Sequence, residues 1–361
     1  MIRIDLPISL RRSILALGSQ TKNTVCFAQN KTAYISAVHK DLSDPKDLSA
    51  FEKDVKCFLK KKPSVVACDL HPEYFSSKYA HECVSENQGI SVLEVQHHHA
   101  HIVSCMVENG LKDKSVIGVA FDGTGKGRDG ALWGAEFLIC DYKNYIRAAH
   151  LKEVALIGGE KAILEPWRLL AALGLDRPAL VKRKEWGLVK RVQAKAFNSP
   201  LSSSMGRLFD AAAVLILGKC RANFEAELAI ELEKKAFNFE ASSVKYKFKV
   251  IKDKGSYIID PKPVFRQIIK DLKAKEVKPE IAYRFHLAVA QMIAEVCIRL
   301  KRKFKVSNVV LSGGVFQNNL LLRLSLDLLY KEGFKVIIHK KLSCNDSGLS
   351  LGQAVIASFN Y

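Results

Sequence analysis

The sequence is poor in the features that mark several special classes of protein. Its nine cysteines are an odd number, none lies closer than 11 residues to the next, and no Cys-x-x-Cys occurs. Zinc ribbons, zinc knuckles and thioredoxin-type redox pairs are therefore excluded. Cys26, Cys68, Cys105 and Cys140 stand in apolar stretches, where a reduced cysteine packs as a small hydrophobe. The longest uninterrupted apolar run is seven residues, 211–217, against the roughly 18 that a membrane span needs. Near the N-terminus Asp5, Arg11 and Arg12 break the pattern, and 13–17 is too short for a secretory core. The expectation is a cytoplasmic protein with no membrane partner. Acidic residues are scarce too: 37 against 56 lysines and arginines, a net charge of +19. Such an excess attracts polyanions, whether RNA, nucleotides or an acidic protein. The basic runs at 53–62, 182–195, 245–254 and 301–305 are scattered, however, and each reads as a solvated face.

What is present suits a folded chain of two lobes: 361 residues, 48% hydrophobic and 26% charged. Short strands are expected at 13–18, 23–28 and 31–39, then a helix at 49–61 and a strand at 64–69. The order returns with strands at 115–122, 131–142 and 145–154. Two strand meanders, each followed by helices, predict an internal duplication. The expected lobes are residues 1–110 and 111–361, with the C-terminal helix returning to the first. Residues 237–279, rich in lysine and punctuated by Gly255, Pro261 and Pro263, read as an inserted hairpin and linker. An apolar strand at 308–311 runs through Ser312, Gly313 and Gly314 into a helix at 319–330. Exposed backbone N–H groups and a helix start make that a nucleotide-facing turn.

The sharpest local feature is His97-His98-His99-Ala100-His101. On a helix His97 and His101 share a face one turn apart, so both imidazoles can reach one metal ion, while His98 and His99 point elsewhere. A polar helix start without a ligand fits the spacing equally well. Asp122, closing the strand before a glycine-rich turn, and Asp346, in the loop 343–348, sit at loop tips and could complete the site. Each also reads as a turn-forming aspartate. Two histidines with two carboxylates suit iron, zinc or manganese. The loop Gly123-Thr124-Gly125-Lys126-Gly127-Arg128-Asp129-Gly130 can bring several N–H groups onto a phosphate, with Lys126 and Arg128 adding charge. It lacks the Gly-Lys-Ser/Thr of a Walker loop, and as a bare pattern it could also be a hairpin turn.

Taken in order, these motifs resemble a known family. His97–His101, residues 121–134, Glu165-Pro166-Trp167-Arg168, residues 204–210, 311–318 and 345–348 are similar to the carbamoyltransferase part of the hydrogenase maturation family HypF. Residues 15–24 and Cys68-Asp69-Leu70-His71-Pro72 agree as well. The resemblance implies a duplicated actin-like, sugar-kinase-like (ASKHA, Kae-type) α/β fold of two lobes with a nucleotide cleft between them. It implies that carbamoyl-adenylate lies in the cleft beside a divalent metal ion held by His97, His101, Asp122 and Asp346. Gly123, Thr124, Gly125, Gly127, Gly313, Gly314, Gln317 and Asn318 would face the nucleotide, Asp210 the ribose, and Lys126 and Arg168 the reacting groups. The acceptor implied is the C-terminal cysteine of a HypE-like partner. HypF usually carries an acylphosphatase-like domain, a zinc region and a YrdC-like domain before this part, so a separate YrdC-like or HypF N-terminal protein is expected to supply the adenylate. Cys344 is expected to be structural. Two departures stand out: Leu164 replaces an arginine, and Phe224-Glu225-Ala226-Glu227 replaces the usual Tyr-Glu-Gly-Gln. The alternatives are a Kae-type threonylcarbamoyl transferase acting on tRNA, which the charge would suit, and a nucleotide-binding scaffold without catalysis.

Overall fold

The computed structural model describes residues 1–87, 89–175, 182, 184–237, 239 and 246–360. Two sheets organise the chain. The first has four strands in the order Cys26–Ile35, Ile2–Ala16, Val65–Asp69 and Ser91–Val95. The second has at its middle Tyr145–Leu151, Leu132–Cys140, Val116–Lys126, Asn308–Ser312 and Lys335–Ile337 in that order. The duplication shows in the pairing. Ile2–Ala16 is antiparallel to Cys26–Ile35 and parallel to Val65–Asp69, which is parallel to Ser91–Val95. Val116–Lys126 is likewise antiparallel to Leu132–Cys140 and parallel to Asn308–Ser312, which is parallel to Lys335–Ile337.

Five layers result. Helices Pro45–Leu59 and Phe75–Glu86 cover the outer face of the first sheet, packing Phe51, Val55 and Phe58 on Leu15 and Val66. Helices His97–Glu108 and Leu349–Asn360 lie between the two sheets, with Ile102, Met106 and Val355 packed among Ile14, Ala67, Leu138 and Val310. Helices Met205–Leu217, Lys278–Phe304 and Asn319–Lys331 cover the far face of the second sheet. The central strand obeys the two-residue period of a sheet buried on both sides: Ile117, Val119 and Phe121 face the outer helices, while Val116 and Ala120 face the sandwiched pair. That pair touches at Gly352, where a Cβ would sit 1.9 Å from the Ala100 carbonyl oxygen. The fold is the two-lobed α/β arrangement that the motifs imply.

Several boundaries differ from the sequence reading. The first strand starts at Ile2 rather than residue 13, because bulges after Asp5 and Leu10 break its apolar alternation. The strands expected at 23–28 and 31–39 are one strand, Cys26–Ile35, flanked by a separate ribbon of Thr21–Asn23 and His39–Asp41. Part of the stretch 237–279, residues 238 and 240–245, lies outside the described residues, as does 183 in the basic run 182–195. The rest is a hairpin, Lys249–Asp253 with Ser256–Asp260, but not a linker. Its inner strand pairs with Tyr145–Leu151, and Val264, Phe265 and Ile268 of the following helix are fully buried. Lys278–Phe304 is apolar and long enough to match a membrane span by composition, yet 78% of its most apolar window is buried within the fold.

Candidate functional site

The histidine helix begins where the Gln96 side chain accepts the His99 backbone N–H at 2.8 Å, a cap that places His97 and His101 one turn apart on one face. Opposite them the central strand bulges away from its neighbour after Phe121, which frees Asp122. One Asp122 oxygen, Oδ1, accepts from the N–H groups of Gly123 at 2.8 Å and Gly314 at 3.3 Å. The other, Oδ2, lies 3.3 Å from His97 Nε2 and 3.1 Å from His101 Nε2. Asp346 Oδ1 approaches the same two nitrogens at 3.7 and 3.5 Å. The four ligand atoms lie within 4.8 Å of one another. Gly313, at φ +102°, makes this junction possible: a Cβ there would meet the Phe121 carbonyl oxygen at 2.2 Å.

Burial works against ionising Asp122, but hydrogen bonds from His101 and His97 outweigh it and hold the carboxyl well below the usual range. Asp346 moves the same way against burial and the neighbouring Asp122. Two imidazoles and two ionised carboxylates converging on one point fit a borderline divalent ion. The remaining histidines are elsewhere, as the spacing predicts. His98 packs against Trp133 with Nδ1 3.2 Å from Gln96 Nε2, and His99 Nε2 donates to the Asp141 carbonyl at 2.7 Å. Burial pulls His99 down to about 4 and keeps His98 neutral.

A cavity of about 690 Å³ opens beside this cluster, lined by Asp122 and Asp346 at one end. Gly123, Thr124, Gly314, Gln317 and Asn318 also line it, with Phe209, Phe224, Ile230 and Val315 as its apolar wall. Arg207 lines it too, a residue to which the sequence reading gave no role although it stands in the Ser204–Asp210 motif. The Ser204 side chain caps the helix Met205–Leu217 by accepting the Arg207 N–H at 3.1 Å, which fixes this residue in the first turn. The Arg207 side chain is 4% exposed, with Nη2 3.0 Å from Glu225 Oε1 and Nε 3.3 Å from Asp210 Oδ2. Its Nη1 is buried and has no hydrogen-bond partner among the described residues. A buried guanidinium with a spare donor on a cavity is a site for a phosphate or carboxylate.

Other expected residues fall away from the cavity. Asp210 lies behind Arg207 rather than on the surface of the cleft, and burial pushes its carboxyl up to about 6 against the pull of Arg207. The glycine run is a bulged strand and a tight turn, not one phosphate loop. Gly125 packs under His97 and His98, and Gly127 packs against Trp133 and donates its N–H to the Ala131 carbonyl at 2.8 Å. Neither Lys126 nor Arg168 is among the residues lining the cavity. Arg168 is held by Glu165, Nε to Oε2 at 2.8 Å, and Glu165 also meets Arg221 at 3.2 Å. Leu164 is 45% exposed. Cys344 is half-buried, and burial with the nearby Asp122 pushes its thiol up to about 11, as befits a structural cysteine.

Ala226 lines the cavity with φ +66°, the left-handed region that costs a residue with a Cβ roughly 1–2 kcal/mol. Ala226→Gly is therefore expected to raise stability by about 1 kcal/mol in urea unfolding. His286 supports the wall from behind. Its Nδ1–H donates to the Ala282 carbonyl at 2.8 Å, and Nε2 accepts from Asn318 Nδ2 at 3.0 Å. Burial pulls its pKa down to about 4. The unfolded chain, with a histidine near 6.5, takes up that proton first. The contribution of His286 to stability is thus intact well above pH 6.5 and falls by about 3 kcal/mol as pH drops from there to 4. Urea unfolding at pH 7.5 and 4.5 checks this: His286→Gln should lose less stability over that interval than the parent chain.

Comparison with known proteins identifies the chain's relatives. Residues 9–108 match the family model described as the HypF Kae1-like domain. Residues 118–353 match the model for the second subdomain of the Kae1-like carbamoyltransferase domain. A Carbamoyltransferase HypF homolog from Cupriavidus necator is 32% identical over 366 residues, covering 96% of this chain and 91% of that protein. The chain belongs to the HypF family of carbamoyltransferases. Carbamoyltransferase HypF of Rhodobacter capsulatus is 34% identical over 99% of this chain and 51% of its own length. The chain thus spans about half the length of that protein and most of the length of the Cupriavidus necator homolog. A crystal structure of full-length HypF in its phosphate- and nucleotide-bound form superposes with a TM-score of 0.91 at 38% identity, over 99% of this chain and 57% of that one.

Proposed function

We propose that the chain works in the cytoplasm, passing a carbamoyl group from carbamoyl-adenylate to a cysteine thiolate of a HypE-like protein in [NiFe]-hydrogenase maturation. The observation that carries this reading is the convergence of His97, His101, Asp122 and Asp346 at the end of a cavity that also presents the buried guanidinium of Arg207. A full-length HypF relative crystallised in a phosphate- and nucleotide-bound form supports a nucleotide as ligand.

Carbamoyl-adenylate is a mixed anhydride, and a site that uses it must hold it dry and present the acceptor to the carbamoyl carbon. Arg207, with Nη1 free and Nη2 on Glu225, binds the phosphate oxygens. Phe224, Ile230 and Val315 supply the apolar wall that a nucleobase needs, and Gln317 and Asn318 the polar edge. The four-ligand cluster would hold a divalent ion, iron or zinc by its donor set, supplying Lewis-acid polarisation of a carbonyl or phosphate oxygen. The acceptor sulfur then attacks the carbamoyl carbon, the bond from that carbon to the phosphate oxygen breaks, and AMP leaves. The nucleophile is the partner's cysteine; burial, which raises the Cys344 thiol to about 11, supports leaving that residue out of the step. A separate YrdC-like protein, or the N-terminal part of a HypF, supplies the adenylate.

Incubation with carbamoyl-adenylate and a HypE-like acceptor should leave a carbamoyl group on the acceptor's C-terminal cysteine. The cysteine-to-serine acceptor should receive none, because a hydroxyl is hardly ionised near neutral pH. Equal transfer to the serine acceptor contradicts the reading.

A further inference from the structure

We propose that Asp69 is the positioning residue of the metal centre, fixing the tautomer of His97 so that Nε2 is free to bind an ion. The inference rests on the four-ligand reading above. Asp69 ends the fully buried strand Val65–Asp69, and its side chain and that of His97 are both 0% exposed. Each carboxylate oxygen has its own neighbour. Oδ1 accepts the backbone N–H of His71 at 2.9 Å, and Oδ2 lies 2.7 Å from His97 Nδ1.

A backbone amide can only donate, so the atom facing His71 must be an acceptor. Oδ2, the other acceptor, then takes the Nδ1 proton of His97. With a proton held at Nδ1, Nε2, which donates to Asp122 and faces Asp346, is the nitrogen that gives up its proton to an ion bound there. This gives a role to the Cys68-Asp69-Leu70-His71-Pro72 motif: Leu70 carries the chain round so that the His71 amide locks the carboxylate. Among the described residues no carboxylate stands behind His101 as Asp69 stands behind His97.

The arrangement makes an unusual prediction for two variants. In Asp69→Asn the carboxamide oxygen must stay on the His71 N–H, which turns the amide NH2 toward His97. That group donates to Nδ1, forces the proton to Nε2 and blocks the ligand position. In Asp69→Ala no donor is imposed, and His97 remains able to present Nε2. Zinc affinity, measured with zinc alone by competition against a chelating dye, should therefore fall roughly 10- to 100-fold in Asp69→Asn and less in Asp69→Ala. A purely structural role predicts the opposite order, since asparagine is the near-isosteric replacement. Circular dichroism establishes that each variant is folded. Nitrogen-15 spectra of the zinc-loaded parent chain give a second measurement that needs no variant: His97 should carry its proton on Nδ1 and the metal on Nε2. Asparagine binding zinc as tightly as the parent, alanine binding it more weakly than asparagine, or the reverse tautomer in the parent each overturns the role of Asp69 alone. A parent chain that takes up no zinc overturns the four-ligand reading and this inference with it.

Discussion

Replacing His101 by alanine is expected to empty the metal centre, taking divalent metal content from about one ion per chain to near zero, and to stop carbamoyl transfer. The expectation follows from the way the four ligands depend on one another. His101 Nε2 contacts Asp122 at 3.1 Å and Asp346 at 3.5 Å, so its loss removes one ligand and one of the two imidazoles whose hydrogen bonds keep both buried carboxylates ionised. Three remaining donors, two of them less readily charged, hold an ion poorly. Loss of Lewis-acid polarisation, worth several kcal/mol, corresponds to roughly a thousandfold or more in rate. Metal analysis of the purified variant, alongside His97→Ala, is the check. A variant that retains the parent's metal content shows that the ligands lie elsewhere.

The second large effect is expected at Arg207. Arg207→Lys keeps a positive charge beside Asp210, so it avoids stranding a buried carboxylate, but it removes the planar fork. Nucleotide affinity, read with AMP by calorimetry, should fall roughly 10- to 100-fold, the size of one or two lost hydrogen bonds to a charged group. Adenosine, which has no phosphate, should bind both proteins alike. If AMP and adenosine lose affinity equally, the guanidinium is not the phosphate anchor.

The fold and the cluster of His97, His101, Asp122 and Asp346 are legible in the sequence to different depths and for different reasons. The i, i+4 spacing of His97 and His101 is a local property of a helix, so their shared face needed no tertiary information. Bringing Asp122 and Asp346 to the same point required the register of the central strand against Asn308–Ser312 and the Gly313 turn, which spacing alone does not contain; the family resemblance provided it. The glycine run 123–130 reads both as a phosphate loop and as a hairpin turn because glycines serve two ends. Some let a phosphate approach, whereas Gly125 and Gly127 here admit His97 and Trp133. Arg207 was overlooked for a related reason: within the motif 204–210 both Arg207 and Asp210 are charged, and only burial reveals that the arginine faces the cavity and the aspartate stands behind it. Asp69 had a visible signal in its motif, but its partner His97 lies 28 residues away on another element.

Charge and motif point to different acceptors, and one measurement separates them. Labelled carbamoyl-adenylate is offered to the metal-loaded chain in the presence of both tRNA and a HypE-like protein, and the product is divided into nucleic acid and protein. Label is expected on the protein, at its C-terminal cysteine, with none on RNA and little change as salt rises. Label on tRNA and none on the protein would contradict it. Transfer should then also weaken steeply with salt, by a log–log slope of roughly −0.9 for each duplex phosphate contacted, and the +19 charge would have been the better guide.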